Sequence, residues 1–306
     1  MKKIYIVLLV TVFSASMKSQ WLWDYGVAVG ATAYLGDIGG KDKARTNFIS
    51  DIQLAKTRYN IGGFARYKWR PKLSLKIALD YIRIEGDDKL STNLGRKYRN
   101  FNFRNNMFDL GLTGEFFFYE NNDLGNTYKY RNGFRAYVFG GVGVFLSNPK
   151  TLYQGEVVAL RPYQTEGVAY SAINFNIPMG VGFYFTINKT HRLGFEFNYR
   201  KTFTDYIDDI SGNYPAKPAD SYEQGLILRT SELGTGNQLI IDSQGASASH
   251  DWGEKRGENT NKDAYMTMNL NYSYVIRGKS SFYKARNNGF FGKGKKRKMR
   301  KIRAKF

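Results

Sequence analysis

The chain has no cysteine among its 306 residues, which excludes a disulfide framework, a thiolate zinc site and an N-terminal lipidated cysteine. It has only two histidines and six prolines. No internal apolar run reaches the roughly eighteen residues that a membrane-crossing helix needs. Acidic residues also give out: none follows Asp263. What is abundant is aromatic and small. Tyrosine and phenylalanine number 23 and 22, glycine 32, and aromatics make up 16% of a chain that is polar on average. A membrane β-barrel has this composition, because its lipid-facing side chains are diluted by a polar interior and polar loops.

The N-terminus carries a basic Met1-Lys2-Lys3, an apolar stretch from Ile4 to Phe13, and small residues at Ser14-Ala15-Ser16 and before Gln20. That order predicts a cleavable secretory signal over 1–19, cut between Ser16 and Gln20. The formal net charge is +20, but 12 of the cations lie in 279–306. The region between signal and tail is only mildly basic.

Period-two alternation then recurs in eight segments. In the first, Tyr25, Val27, Val29, Ala31, Ala33 and Leu35 oppose Gly26, Ala28, Gly30, Thr32 and Tyr34. In the third, Leu73, Leu75, Ile77, Leu79 and Tyr81 oppose Ser74, Lys76, Ala78 and Asp80. In the seventh, Leu193, Phe195, Phe197 and Tyr199 oppose Glu196, Asn198, Arg200 and Thr202. A slip of one residue would place Glu196 and Arg200 in lipid, so the register is strongly specified. Connections after the second, fourth and sixth segments are short; those after the first, third, fifth and seventh are long, the last running over 205–262. This asymmetry, with aromatics near the segment ends, predicts an all-β fold. It is an eight-stranded antiparallel transmembrane β-barrel of the outer membrane over 20–278, with short periplasmic turns and long extracellular loops. An even strand count puts both termini in the periplasm. A soluble sandwich or lipocalin-like barrel shares the alternation but not the turn asymmetry.

Eight strands enclose an interior that side chains can fill. The inward rows supply Arg66, Lys68, Lys76, Arg135 and Arg200 against Asp80, Asp109, Glu115 and Glu196. Buried charges of both signs must pair, so these nine predict a salt-bridged plug and a scaffold, with a small pore or a surface-ligand-binding barrel as the alternative. Asp205, Asp208 and Asp209 crowd together after the seventh segment, but in a turn-forming composition without the ligand spacing of a calcium loop. They are expected on a solvated outer rim, and are the candidates for an adventitious calcium site. The Gly-, Ser- and Asn-rich remainder of that loop predicts mobility. His191 falls in a short turn where solvation is expected. Ser249-His250-Asp251 is a triad only in writing, since adjacent side chains diverge. No Gly-rich phosphate loop or metal-spaced histidine pair appears, so no enzyme activity, cofactor or small-molecule substrate is expected.

The tail at 279–306 carries Lys293, Lys295, Lys296, Arg297, Lys298, Arg300, Lys301, Arg303 and Lys305. Behind a secretory signal, nucleic acid is not the expected partner. The block instead suits anionic outer-membrane lipids or an acidic periplasmic protein.

Two stretches carry a family resemblance. Tyr34-Leu35-Gly36-Asp37-Ile38-Gly39-Gly40 resembles the Tyr-x-Gly-Asp-Leu signature of PorG-like proteins, and Phe195 to Tyr214 resembles that family's most recognisable block. PorG-like proteins are outer-membrane components of the type IX secretion system of Bacteroidota. The resemblance spans the barrel from about Trp23 to Gly278. It implies an eight-stranded barrel associated with a periplasmic ring of a PorK-like lipoprotein and a PorN-like protein. The system exports proteins with C-terminal signals and in some members supports gliding. No catalytic residues come with the resemblance, and the basic tail is not part of it.

Overall fold

The computed structural model describes residues 23–38, 54–91, 93–122, 133–188, 190–234, 250–260 and 262–276. Among the described residues there are ten strands: β1 (Trp23–Leu35), β2 (Arg58–Arg70), β3 (Leu73–Asp87), β4 (Asn102–Asn122), β5 (Gly133–Leu146), β6 (Pro149–Tyr153), β7 (Glu156–Ala159), β8 (Ile173–Ile187), β9 (His191–Thr202) and β10 (Ala264–Ile276). Eight of them form an antiparallel barrel. Each of β1 to β4 pairs with its successor, β5 pairs with β8, β8 with β9 and β9 with β10, and the β1–β10 ladder from Trp23↔Ile276 to Leu35↔Ala264 closes the ring. Closure leaves the barrel wall with no free edge. β6 and β7 form a hairpin outside the wall, laid on the long-loop end of β4 at Arg104↔Lys150 and Asn105↔Pro149. The alternation did not foretell it, because a five-residue and a four-residue strand are too short to show a period.

The eight segments and their faces are as the alternation predicts, except at the long-loop ends of β1 and β10, where Leu35 and Met266 of the outward rows are buried against each other and Ala264. Val27, Ile61, Leu79, Leu112, Val142, Val181 and Leu270 are exposed, while their inward neighbours Ala28, Asn60, Asp80, Asn198 and Asn269 are buried. A continuous exposed apolar band around a closed wall is untenable in water and is what lipid requires. At its short-turn end the band is bordered by aromatic rings, with Trp23 at 4.9 Å from Tyr67 and Phe134 at 4.9 Å from Phe185. This is a transmembrane barrel. Among the described residues no helix is long and apolar enough to cross a membrane.

Turn chemistry explains the short end. β2 and β3 join through Pro71 and Lys72. β8 and β9 join through 188–190, where Asn188 takes a left-handed φ of 50°, which asparagine tolerates better than most residues. The predicted short connection at 121–132 is trimmed by β4, which runs to Asn122; residues 123–132 lie outside the described residues. At the long end two short helices, α1 (Leu94–Arg99) and α2 (Ser221–Ile227), join the loops. Both are capped by a side chain accepting from the first turn: Asn93 Oδ1 from Arg96 N, and Asp220 Oδ1 from Tyr222 N.

Candidate functional site

The interior is filled in layers. Nearest the short turns, Arg66 reaches Glu115 at 2.7 Å and Asp24 at 3.2 Å, and Arg192 also pairs with Asp24. Its guanidinium lies over the rings of Phe64, Tyr137 and Tyr184 at 5.2 to 5.5 Å, where cation–π attraction replaces water. Phe117, Tyr137, Phe139 and Tyr184 pack as one buried cluster. Room for these rings comes from glycine on facing strands. A Cβ at Gly182 would meet the Tyr137 ring at 2.6 Å, and one at Gly26 would meet Phe64 at 2.5 Å.

In the middle layer Lys76 binds Glu196 at 2.7 Å, and Glu196 also accepts from the Tyr137 hydroxyl at 2.9 Å. Higher still, Arg200 reaches Asp80 at 2.5 Å and Asp109 at 3.6 Å, while Asn176 donates to Asp109 at 2.8 Å. Between the last two layers remains a cavity of about 20 Å³ lined by Lys76, Asp80, Glu196, Asn198 and Arg200. That is room for a water, not for a solute.

Seven of the nine residues expected in the plug are therefore joined in it. The other two are not. Arg135 sits at the short-turn end and pairs with Glu120, and Lys68 is half-buried at that end without an ion pair among the described residues. Both lie on inward rows, but at their last positions, where the interior opens. Conversely Asp24 and Arg192 belong to the plug and were not anticipated. Extending the alternation inward from Gly26 and from Glu196 by one and two steps would have found them.

Above the charges the interior turns apolar. Ile82, Ile84, Met107, Phe145 and Tyr265 from the wall pack against Ile38, Phe101, Leu160, Ile207, Ile210 and Leu226 from all four long connections. The loops form a cap on the barrel mouth, and this corrects the expectation of a mobile, solvated rim for their described parts; 235–249 lies outside the described residues. Three arginines tie the cap together. Arg99 forks onto Asp88 at 2.7 and 2.9 Å, and donates to the carbonyls of Arg256 at 2.7 Å and Asp37 at 2.8 Å. Arg256 donates to Thr165 Oγ1 at 2.7 Å and to the Asp209 carbonyl at 2.9 Å. Arg229 joins Glu232 at 3.0 Å and Thr151 on β6 at 2.9 Å.

The acidic run after β9 is part of this cap. Asp205, Asp208 and Asp209 are 2%, 0% and 1% exposed, not solvated. Nor do they converge. Asp205 accepts from Ser211 Oγ at 2.7 Å, Asp208 from Tyr34 Oη at 2.5 Å and Ile210 N at 2.9 Å, and Asp209 from Thr165 and from Tyr170 Oη at 2.6 Å. Three carboxylates sent to three sets of donors do not make a calcium cage. Burial pushes the Asp209 carboxyl up to about 6, against the opposing pull of Arg256. Burial and the neighbouring charge of Asp37 push Asp208 the same way.

The two stretches that carried the resemblance meet here. The Tyr34 hydroxyl donates to Asp208, lies 2.9 Å from Asp263, and accepts from Asp37 N at 3.1 Å. Neither histidine stands in a reactive group. His191 opens β9 where a turn position was expected, and it is half-exposed, with Nδ1 2.8 Å from the Tyr272 hydroxyl. His250 stacks on Tyr98 and donates from Nε2 to the Gly95 carbonyl at 2.8 Å; burial holds its imidazole below the ordinary range. The Asp251 carboxylate instead accepts from Trp252 N. The basic residues from Lys293 to Lys305 lie outside the described residues.

Solved structures similar to this chain are outer-membrane proteins. Ail, the attachment invasion locus protein of Yersinia pestis, is 8% identical, covering 84% of this chain and 100% of its own, with a TM-score of 0.35. Neisserial surface protein A is 8% identical, covering 83% and 97%, with a TM-score of 0.36. The outer membrane protein AlkL is 10% identical, covering 87% and 95%, with a TM-score of 0.35. The barrel itself rests on the closed strand register. No curated protein matches the sequence. Residues 2–228 match a family model described as a domain of unknown function, DUF6089, and the chain belongs to that family.

Proposed function

We propose that this protein is a non-enzymatic outer-membrane component of the type IX protein secretion machinery, and of gliding where the two are coupled. In this role the barrel anchors a periplasmic ring of PorK-like and PorN-like proteins to the outer membrane. The observation that carries an anchor over a pore is the filled interior: among the described residues, ion pairs, packed rings and a water-sized cavity beneath an apolar cap leave no path for a solute. A sealed barrel spends its strands on holding a position in the membrane. The specific machinery is supported by the resemblance of the Tyr34–Gly40 and Phe195–Tyr214 stretches to PorG-like proteins; the two stretches meet at Tyr34 and Asp208. The short-turn end is the periplasmic one in this reading, which places the basic tail on the side of the ring.

Deletion of 279–306 tests it. The barrel should still insert, while ring proteins recovered with it from native membranes should fall at least several-fold. Equal recovery removes the tail from the contact. If the intact chain brings down no ring protein at all, the assignment to this machinery fails as a whole.

A further inference from the structure

Where the apolar band ends toward the long loops, the outward faces of β2, β3 and β4 change character. Tyr59, Tyr81 and Phe108 form a row of rings, 6.4 and 5.2 Å apart. Beyond it, in register, come Arg83↔Asn106 and then Glu85↔Arg104. Arg58 and Arg104 share Glu85, at 2.6 and 2.8 Å, and Lys56 takes Asp87 at 3.2 Å. Arg83 lies over the Tyr59 ring at 5.3 Å and donates from Nε to the Asn106 amide oxygen at 2.8 Å, with no ion pair among the described residues. Four cations thus face two carboxylates. The Arg104 side chain is 47% exposed, and among the described residues the Arg83 fork is held by neutral partners. Beside it the apolar band continues at the level of the ring row, where Phe108 pairs with Leu146 of β5 and Leu146 with Ile173 of β8, both exposed.

We propose that this patch binds the phosphate groups of a phosphorylated glycolipid headgroup in the outer leaflet. Its place, directly beyond the last ring of the lipid-facing band, is where headgroup phosphates lie. Guanidinium forks suit phosphate oxygens, and a ring row beneath them seats the chains while the charges take the headgroup. The glycolipid follows from the long-loop end facing outward, so this inference rests on the membrane orientation proposed above but not on the ring.

The full chain reconstituted in nanodiscs with bisphosphorylated lipid A tests the site, by native mass spectrometry of lipid retained after extraction. Arg83→Ala with Arg104→Ala should lower retention at least tenfold, with the heat-modifiable band of the folded barrel unchanged. Arg83→Lys, which keeps the charge and loses the fork, should fall between. Retention equal to wild type in the double variant would overturn the site. So would retention of phosphatidylglycerol as strong as that of lipid A, which would mark unselective attraction to anions. Ring recovery should be the same in the double variant as in wild type, so that loss of lipid and loss of the ring are separable.

Discussion

Asp209 is an acid placed where it is costly to ionise. Its folded-state carboxyl titrates at about 6, above the unfolded value of roughly 4. Between those values the folded chain holds more protons than the unfolded one, so stability contributed by this group is present in mild acid and is lost as pH rises through about 6. Asp208 is displaced in the same direction, so the two act together. Hydrogen exchange at Ile210 N and Ser211 N, corrected for intrinsic rates, should therefore be slower at pH near 5 than near 7.5. Asp209→Asn should flatten the difference. Protection that rises with pH in the wild-type chain would contradict this assignment. The acidic run itself was conspicuous in the sequence, but its surroundings were not. A turn-forming composition is the same whether the turn ends in water or beneath other loops; what buries these acids is Tyr34, Thr165 and Arg256, each 44 or more residues away from the acid it meets.

At the scale of elements, strands were legible and loops were not, for a physical reason. A strand in a barrel wall has two environments that alternate every residue, and lipid on one side makes the alternation strict. Even the ends of the charge plug follow from it, as Asp24 and Arg192 show. A cap loop has no period. Its order comes from a few side chains that reach between connections, and Arg99 is the clearest. It neutralises buried Asp88 and satisfies carbonyls of the first and fourth long connections. Arg99→Ala would take the guanidinium fork from the buried Asp88 carboxylate and the Arg99 donors from two carbonyls. Breaking a buried pair this way costs about 3–5 kcal/mol. The barrel wall does not depend on it. Limited proteolysis of the folded protein should open the cap at 88–101 and 250–260 in Arg99→Ala, while heat-modifiable migration of the barrel is kept. Arg99→Lys should not restore protection, because one ammonium cannot span the fork. An Arg99→Ala cap as resistant as wild type would show that apolar packing alone holds it.

For the whole molecule, two features could each close the barrel: the cap above and the side chains within. They separate cleanly, because the β9–β10 ladder continues past the wall. Thr202 N donates to the Asp263 carbonyl at 3.2 Å, and Asp263 N donates to the Thr204 carbonyl at 3.1 Å. Residues 205–262 can therefore be replaced by a short hairpin turn without moving either strand. The shortened barrel loses Ile207, Ile210 and Leu226 from the apolar layer and should melt at a lower temperature. It keeps every ion pair of the plug, from Arg66–Glu115 to Arg200–Asp80, and the ring cluster around Tyr137. In planar bilayers it should stay electrically silent, as should the full chain, because the interior side chains and not the cap block passage. Step openings in the shortened barrel alone would move the seal to the cap and make it a gate. Openings in the full chain would remove the basis for a sealed anchor. Silence in both, with Arg66→Ala and Tyr137→Ala together producing openings in the shortened form, would locate the barrier at the layer where the guanidinium and rings meet.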